Sequence, residues 1–463
     1  MTERSLAERI GLIVEYLFML GIIVALGHMT WYFIEYGYLR QPFFYEPSGT
    51  WMDWFALSRY AHIKGAYDVE LTIYPPLSFV FMKIFSISQC YHDNFGEEVR
   101  ECDWLGMAFV CFTYVCAVVL TFWHFYKFDK RTFLPRAFAI AFGFPMLYGF
   151  ERGNLVIIAF IFYVLAFGYL LKSARLRWIC AGFVINLKVY MIAPVMALLV
   201  RRRWVQVEAI LISTLVIYVL SWLILGEGSP AQIVGNITYY SSGFGAQRIL
   251  DLWYSSSLIP LRTLMESEVP IYAALSSEQV EYVRLFAISY TYLAQGLVLL
   301  ALAATWLRPE VVPPSRLLFF GAIFALSSSE AGGYTGIFLL FSIYMERWKG
   351  IARPAAIVLA YIICIPDDII IPLGMPPLIR DSFLGNREVA AYLGIGPLSI
   401  FRPILMFTIT ILLASFTIRQ VWVDIRQQGW KDRWRYRRDL PLFPGVLRPR
   451  PATAAGGESK VDG

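Results

Sequence analysis

Charged residues are scarce in this sequence. Only 16% of its 463 residues are Asp, Glu, Lys or Arg, and 58% are hydrophobic, whereas an ordinary soluble domain is about 25% charged. Apolar runs recur along the chain from 11–33 to 400–418, and a helix needs roughly 20 apolar residues to cross a bilayer. The scarcity of charge excludes a typical soluble protein and predicts an all-α polytopic membrane protein.

Metal-binding patterns are missing as well. The six cysteines include no Cys-x-x-Cys pair, the four histidines are scattered, and no Asp-x-Asp motif occurs. We therefore expect neither a zinc site nor an obligatory divalent metal. Cys90 and Cys102 flank a polar loop, and they could form a disulfide if that loop lies outside the cytoplasm.

A cleavable signal peptide is not evident either. The first apolar run, 11–33, is too long for a signal-peptide core, and no small-residue cleavage site follows it. We interpret this run as the first transmembrane helix.

The basic residues predict an orientation in the membrane. Lys and Arg cluster in short segments between apolar runs, at 172–177, 201–203, 308–316 and 347–353. Such clusters stay in the cytoplasm, so both termini are expected there, and the long loops 34–74 and 226–284 are expected on the extracytoplasmic side. Because the positive charge is divided among these segments and forms no continuous stripe, nucleic acid is excluded as a partner.

The same pattern divides the chain into two parts. Residues 1–420 are predicted to form a transmembrane domain, and residues 421–463 a cytoplasmic tail that is first basic and then disordered. One segment conflicts with this topology. Lys and Arg at 127–136 also look cytoplasmic, which requires either that the run 75–87 is re-entrant or that this basic segment breaks the rule.

The first outer loop contains a candidate catalytic carboxylate. Asp53 lies among aromatic residues in a short segment that is predicted to form a helix along the membrane surface. A partly desolvated carboxylate there could act as a general base. The alternative is an Asp that only caps a helix or anchors it at the interface.

Two further polar stretches interrupt apolar runs. Glu151, Arg152 and Asn154 lie at a predicted membrane boundary, where the two charges could pair with each other or face a cavity. Lys188 lies in the middle of the run 178–200, which we interpret as two half-helices forming a hairpin. A lysine at that depth needs a partner, and a phosphate group is one candidate.

Taken in order, these stretches resemble glycosyltransferase family 87, the polyprenol-phosphate-sugar-dependent, mannosyltransferase-like enzymes of the GT-C superfamily. The similarity extends from about residue 51 to residue 204 and rests on three motifs. They are Asp53 followed by Tyr74-Pro-Pro, then Glu151-Arg-Gly-Asn, and then Ala181-Gly with Leu-Lys188-Val-Tyr. The later stretch 327–334 lacks the His and Trp that the family often has.

The resemblance implies a fold and roles for individual residues. The fold would be a GT-C-like bundle of roughly 11 to 13 transmembrane or half-membrane helices with extracytoplasmic loops. Asp53 would be the catalytic base. The candidates for binding the donor and its phosphate are Lys188, Arg152, Arg248 and Tyr190, of which Arg248 is chosen only as a cation that could pair with the phosphate. The residues implied to line the substrate cavity are Tyr74, Glu151, Asn154 and Ser257.

The implied function is transfer of a hexose, with mannose favoured, from a polyprenyl-phosphate donor to a glycolipid or polysaccharide acceptor. The reaction would occur at the extracytoplasmic face of the cell membrane, with inversion at the anomeric carbon and without a cofactor. Three alternatives are a transporter or flippase of a lipid-linked substrate, a surface-polysaccharide polymerase or ligase, and a non-catalytic scaffold. The lack of an inverted repeat and the long outer loops argue against the transporter.

Overall fold

The computed structural model describes residues 6–43, 47–92, 96–241, 255–262, 275–328, 331–372, 376–385, 387–392 and 394–429. Most of these residues are helical, which confirms the predicted all-α polytopic class. The helices are α1 (Leu6–Tyr36), α2 (Met52–His62), α3 (Pro76–Ile84), α4 (Glu97–Cys102), α5 (Trp104–Phe128), α6 (Phe133–Ala141), α7 (Phe144–Glu151), α8 (Val156–Phe167), α9 (Ala174–Leu187), α10 (Ile192–Leu198), α11 (Trp204–Leu225), α12 (Pro230–Ser241), α13 (Ile259–Arg262), α14 (Ser277–Leu307), α15 (Pro314–Leu326), α16 (Gly336–Ile343), α17 (Ala352–Cys364) and α18 (Pro397–Gln428).

Six helical segments in the described part of the chain are long and apolar enough to cross a membrane. They are α1, α5, α6 together with α7, α11, α14 and α18. In α1 and α11 only 17% of the most apolar window is buried by protein. The remaining apolar surface of these two helices is suited to contact with lipid tails, which solvate such side chains as well as a protein core does.

The core of the molecule consists of shorter helices that are apolar on all sides. Every residue of α16 is buried, and α15 is buried along most of its length. Phe319, Phe320, Phe338, Leu339 and Phe341 are each at most 1% exposed. A helix that is apolar all round must be enclosed by other helices, so α15 and α16 form the centre around which the longer helices pack.

Two small antiparallel strand pairs lie in the connection between α17 and α18. β1 (Ile371–Pro372) pairs with β4 (Gly394–Ile395), and β2 (Leu378–Asp381) pairs with β3 (Glu388–Ala391). The backbone N–H of Phe383 donates to the carbonyl of Gly37 at 2.9 Å. This contact holds the β-stranded connection against the end of α1.

Helix α3 accounts for the topological conflict in the sequence. With nine residues it is roughly 14 Å long, less than half of the ~30 Å hydrocarbon core. It therefore cannot cross, and the chain returns to the same side between α1 and α5. Arg136 donates two hydrogen bonds to the Glu15 carboxylate, at 2.7 and 2.8 Å. These bonds place the basic segment 127–136 beside the first half of α1.

The re-entrant stretch is closed by a disulfide. Cys90 and Cys102 are bonded to each other, with their Cα atoms 5.6 Å apart. The pairing that the sequence left open is therefore present. Disulfides persist in oxidising compartments, so this bond is consistent with an extracytoplasmic first loop.

The predicted break in the run 178–200 is also present. Helix α9 ends at Leu187, Lys188 has extended backbone, and the chain resumes a helical path as α10. The prediction that the two halves form a hairpin was wrong, because each half packs mainly against other helices. Helix α9 packs between α8 and α11, whereas α10 packs on α15, and the extended residue Lys188 separates the two halves.

Candidate active site around Asp53 and Lys188

The turn after α7 positions the start of α2. The backbone N–H of Trp51 donates to the carbonyl of Glu151 at 2.8 Å, and that of Asp53 donates to the carbonyl of Arg152 at 3.0 Å. The first N–H groups of a helix have no acceptor within the helix. The Glu-Arg-Gly-Asn turn supplies those acceptors, so it fixes the helix that carries Asp53.

Gly153 makes this docking possible. Its φ is +66°, and a Cβ atom at this position would lie 2.9 Å from the Cα of Trp51 and 3.0 Å from the Trp51 carbonyl oxygen. Glycine adopts positive φ without the steric penalty that other residues pay. Close contact between the two turns therefore requires glycine here.

The Asp53 carboxylate is held by two side chains of the same turn. The Nδ2 group of Asn154 donates to Oδ2 of Asp53 at 2.7 Å, and Nε of Arg152 lies 3.6 Å from Oδ1. Asn154 is itself fixed, because its Oδ1 accepts the backbone N–H of Val156 at 3.0 Å. Asp53 remains 25% exposed, so its carboxylate is oriented but still accessible to a substrate.

Arg152 is permanently charged in this setting. Burial lowers the pKa of the guanidinium, but the carboxylates of Asp53 and Glu151 more than offset that effect and raise the pKa above its usual value. Arg152 also lies over the ring of Tyr148, with its Cζ 5.8 Å from the ring centroid. A fixed positive charge therefore lies between the carboxylate and an aromatic surface.

Lys188 is buried where the chain breaks between α9 and α10. It is 6% exposed, and its Nζ donates to the hydroxyl of Tyr74 at 3.2 Å. The same Nζ lies 4.6 Å from the ring centroid of Tyr74 and 5.7 Å from that of Tyr334. Within the described residues Lys188 forms no ion pair. A buried ammonium is costly without an anion, so this position is suited to an anionic ligand.

Aromatic rings connect the two charged positions. Tyr148 stacks on Tyr334, with centroids 5.8 Å apart and an interplanar angle of 26°. Arg152 lies over Tyr148 and Lys188 lies near Tyr334. The structure thus brings a carboxylate, two cations and two tyrosine rings into one continuous site.

Three other predicted site residues have different relations to this site. Tyr190 lies two residues after Lys188, and its buried hydroxyl has no hydrogen-bond partner among the described residues. Glu151 is 7% exposed and supplies its carbonyl to α2. Arg248 lies outside the described residues.

Ser257 makes its hydrogen bonds within its own segment. Its backbone N–H donates to Oγ of Ser255 at 3.0 Å, which stabilises the segment 255–258. The neighbouring Ser256 donates its N–H to the carbonyl of Ala331 at 2.8 Å. This serine segment therefore packs against the stretch that leads into Tyr334, and that stretch connects it to the candidate site.

Sequence reasoning missed two aromatic residues of this site. Tyr148 lies three residues before Glu151 of the Glu-Arg-Gly-Asn stretch, and Tyr334 ends the stretch 327–334 that departs from the family pattern. An isolated tyrosine in an apolar run gives no periodic signal. Among the described residues no group of three or more His, Cys, Asp or Glu could hold a metal ion, and independence from divalent metal stays a prediction.

Comparison with known proteins gives one match. The family described as Glycosyltransferase family 87 matches residues 72–329, which is more than half of the chain. This range includes Tyr74, the Glu-Arg-Gly-Asn turn and Lys188, and it begins after Asp53. No curated protein and no solved structure matches.

Proposed function

Because the chain belongs to glycosyltransferase family 87 and is therefore a membrane glycosyltransferase, we propose that it transfers a hexose, with mannose favoured, from a polyprenyl-phosphate donor. The acceptor is a glycolipid or a polysaccharide. One observation carries this proposal. A fixed, accessible carboxylate at Asp53 shares a site with the buried cation Lys188, which forms no ion pair within the described residues.

These groups support a direct displacement. Asp53 removes the proton from the acceptor hydroxyl as its oxygen attacks the anomeric carbon. The bond between that carbon and the phosphate oxygen breaks, and the electron pair leaves with the lipid phosphate. Since a phosphate is already a stable anion, the leaving group needs cationic partners more than it needs a proton. Attack from the side opposite the leaving group inverts the anomeric carbon.

Lys188 and Arg152 are the proposed partners of the donor phosphate. Lys188 is buried with three N–H donors, of which one is used by Tyr74. The hydroxyl of Tyr190, which has no hydrogen-bond partner among the described residues, is proposed as a further donor. Arg248 is proposed for the same role as a further cation for the phosphate. Tyr74, Glu151, Asn154 and Ser257 are proposed to shape the cavity around the substrates.

The proposed orientation places Asp53 on the extracytoplasmic side of the cell membrane and both termini in the cytoplasm. The disulfide between α3 and α5 and the basic segments between helices support this orientation. We also propose that residues 1–420 form a GT-C-like catalytic domain and that residues 421–463 lie in the cytoplasm. Helix α18 extends to Gln428, so this tail begins as a continuation of the last helix.

A comparison of donors tests the proposed chemistry. Membranes containing the full chain are supplied with a panel of radiolabelled polyprenyl-phosphate sugars and, separately, with the corresponding nucleotide sugars. We expect label to reach a lipid or polysaccharide acceptor only from the lipid-linked donors, and most efficiently from the mannose donor. Transfer from nucleotide sugars alone would contradict the proposed donor. Absence of transfer from every donor would favour a transporter of lipid-linked substrates.

A further inference from the structure

The ammonium group of Lys188 lies beside two tyrosine rings. Its Nζ is 4.6 Å from the ring centroid of Tyr74 and 5.7 Å from that of Tyr334. A cation at such a distance from the face of an aromatic ring is attracted by the ring electrons, and the attraction is larger where water is excluded. Lys188 is 6% exposed and forms no ion pair within the described residues. The two rings therefore stabilise a charge that no described carboxylate pairs with.

A lysine needs such contacts if its charge is to have a defined position. The ammonium is carried on a flexible four-carbon stem, unlike the planar guanidinium of arginine. The hydroxyl of Tyr74 accepts a hydrogen bond from Lys188 at 3.2 Å, which is one restraint. The ring of Tyr334 is a second restraint, and it comes from a distant part of the chain, between α15 and α16.

The ring of Tyr334 is itself closely enclosed. It stacks on Tyr148, with centroids 5.8 Å apart. A Cβ atom at Gly332 would lie 2.6 Å from two atoms of the ring, and a Cβ atom at Gly149 would lie 3.3 Å from the Cβ of Tyr334. The side chain thus occupies space that glycine leaves open at both positions, so its place beside Lys188 is determined by its surroundings.

The backbone that carries Tyr334 is held by the serine segment of the long connection between α12 and α14. The backbone N–H of Ser256 donates to the carbonyl of Ala331 at 2.8 Å, and the hydroxyls of Ser256 and Thr335 are 2.8 Å apart. The N–H of Thr335 donates to the carbonyl of Gly332 at 2.9 Å. These bonds fix the chain on both sides of Tyr334.

We propose that Tyr334 is a positioning residue, whose ring holds the Lys188 ammonium where the phosphate of a lipid-linked substrate binds. The identity of this anion rests on the proposed function, whereas the contact between the ring and the ammonium does not. The attraction uses the face of the ring and not the hydroxyl. Phenylalanine can therefore replace Tyr334 in this role, and an aliphatic residue cannot.

Steady-state transfer by membranes containing the full chain tests the role of the ring. We expect Tyr334→Leu to raise the KM for the polyprenyl-phosphate sugar by about tenfold, with kcat within about threefold of the unaltered protein, and Tyr334→Phe to keep both values. Phe144→Leu is the matched control. Phe144 also stacks on Tyr148, with centroids 5.3 Å apart, but it is not one of the rings beside Lys188. A KM that rises equally in Phe144→Leu, or equally in Tyr334→Phe, would overturn the proposal.

Gly332→Ala displaces the ring without removing it. The φ of Gly332 is −57°, which any residue adopts, so the added methyl acts through its 2.6 Å contact with the Tyr334 ring. We expect the donor KM to rise, as in Tyr334→Leu. If Tyr334→Leu does not fold, this variant takes its place, and an unchanged KM in Gly332→Ala would contradict the positioning role.

A double-mutant cycle asks whether Tyr334 acts through Lys188. In a Lys188→Met background there is no ammonium left to position, so Tyr334→Leu should raise the donor KM no further. Effects that multiply, with Tyr334→Leu costing the same factor whether residue 188 is lysine or methionine, would show that the ring acts independently of Lys188. That result would overturn the proposal.

Binding measurements separate this inference from the proposed function, because they need no sugar transfer. The purified full-length protein in nanodiscs of uncharged lipid is titrated with a short-chain polyprenyl monophosphate and with the neutral polyprenol of the same length. We expect Tyr334→Leu to weaken binding of the monophosphate by about tenfold and to leave binding of the polyprenol unchanged. This result would support the positioning role even if no glycosyl transfer were detected. Equal losses for the two probes, or no binding of the monophosphate by the unaltered protein, would overturn it, even with transfer intact.

Discussion

Individual residues of the Glu-Arg-Gly-Asn turn have separable tasks. Gly153 permits close contact with Trp51, the carbonyls of the turn accept hydrogen bonds from the first residues of α2, and Asn154 orients the Asp53 carboxylate. Asn154 and Asp53 are 101 residues apart in the sequence. Their direct contact could not be predicted from the sequence, because no local pattern indicates which distant residues will meet in the fold.

Asn154→Ala tests the orientation of the carboxylate. The change removes the 2.7 Å hydrogen bond to Asp53 and leaves the carboxylate free to rotate. We expect kcat to fall by roughly 10- to 100-fold, the scale that misplaced catalytic groups show, with little change in the KM for the donor. A fall in donor affinity at unchanged kcat would contradict a positioning role for Asn154.

Gly153→Ala tests the steric requirement of the turn. The added methyl would meet the Trp51 backbone at 2.9 Å at a residue with φ of +66°. We expect a loss of roughly 1–3 kcal/mol in stability, measured as a lower Tm in detergent. The control is Gly235→Ala in α12, where nothing lies within 4 Å of the position that the added methyl would take, and its Tm should be equal or slightly higher. Equal Tm values for both variants would refute the requirement.

Lys188→Met tests the anionic partner. The substitution removes a buried cation but keeps an apolar side chain of similar length, so stability should be retained or improved. We expect the KM for the polyprenyl-phosphate donor to rise by about tenfold or more, with Lys188→Arg recovering part of the loss. An unchanged donor KM in Lys188→Met, measured by steady-state transfer, would remove Lys188 from phosphate binding.

Among the helices and strands, the sequence was most informative where polar residues interrupt apolar runs. Lys188, in the middle of the run 178–200, correctly predicted the break between α9 and α10. The packing of the two halves was mispredicted, since it depends on surfaces of α8, α11 and α15 that belong to other parts of the chain. The strand pairs between α17 and α18 were missed because strands of two to four residues are too short for an alternating pattern to emerge.

The disulfide gives a prediction for the segment between α3 and α5, called the loop here. Replacing both Cys90 and Cys102 by serine removes a cross-link over a separation of 12 residues. Loops of about this length contribute about 3 kcal/mol when closed by a disulfide, so we expect a lower Tm and easier proteolysis of the loop. The control is Cys111→Ser, since Cys111 is a free and exposed cysteine. Equal Tm values for the unaltered protein, the double serine variant and Cys111→Ser would show that the disulfide does not stabilise the loop.

For the molecule as a whole, composition was sufficient to predict membrane residence, because lipid imposes long apolar helices. It was not sufficient to predict which late residues reach the site. Tyr334 comes from the second half of the chain and belongs to no recurring pattern of polar residues. Only the packing of the later part of the chain against α7 brings it beside Tyr148. Which residues line the site is therefore determined by how the helices pack against one another.

The central claim is that Asp53 is the base of a lipid-phosphate-sugar transferase. It is tested most directly by single-turnover transfer from a labelled polyprenyl-phosphate sugar, comparing the unaltered protein with Asp53→Asn and Asp68→Asn. Asp68 is the control because it lies in the same outer loop, is exposed, and accepts a hydrogen bond from Gln232, away from the candidate site. We predict a loss of at least about 100-fold in Asp53→Asn, with unchanged donor binding and normal transfer in Asp68→Asn. Transfer by Asp53→Asn at the rate of the unaltered protein would contradict the claim.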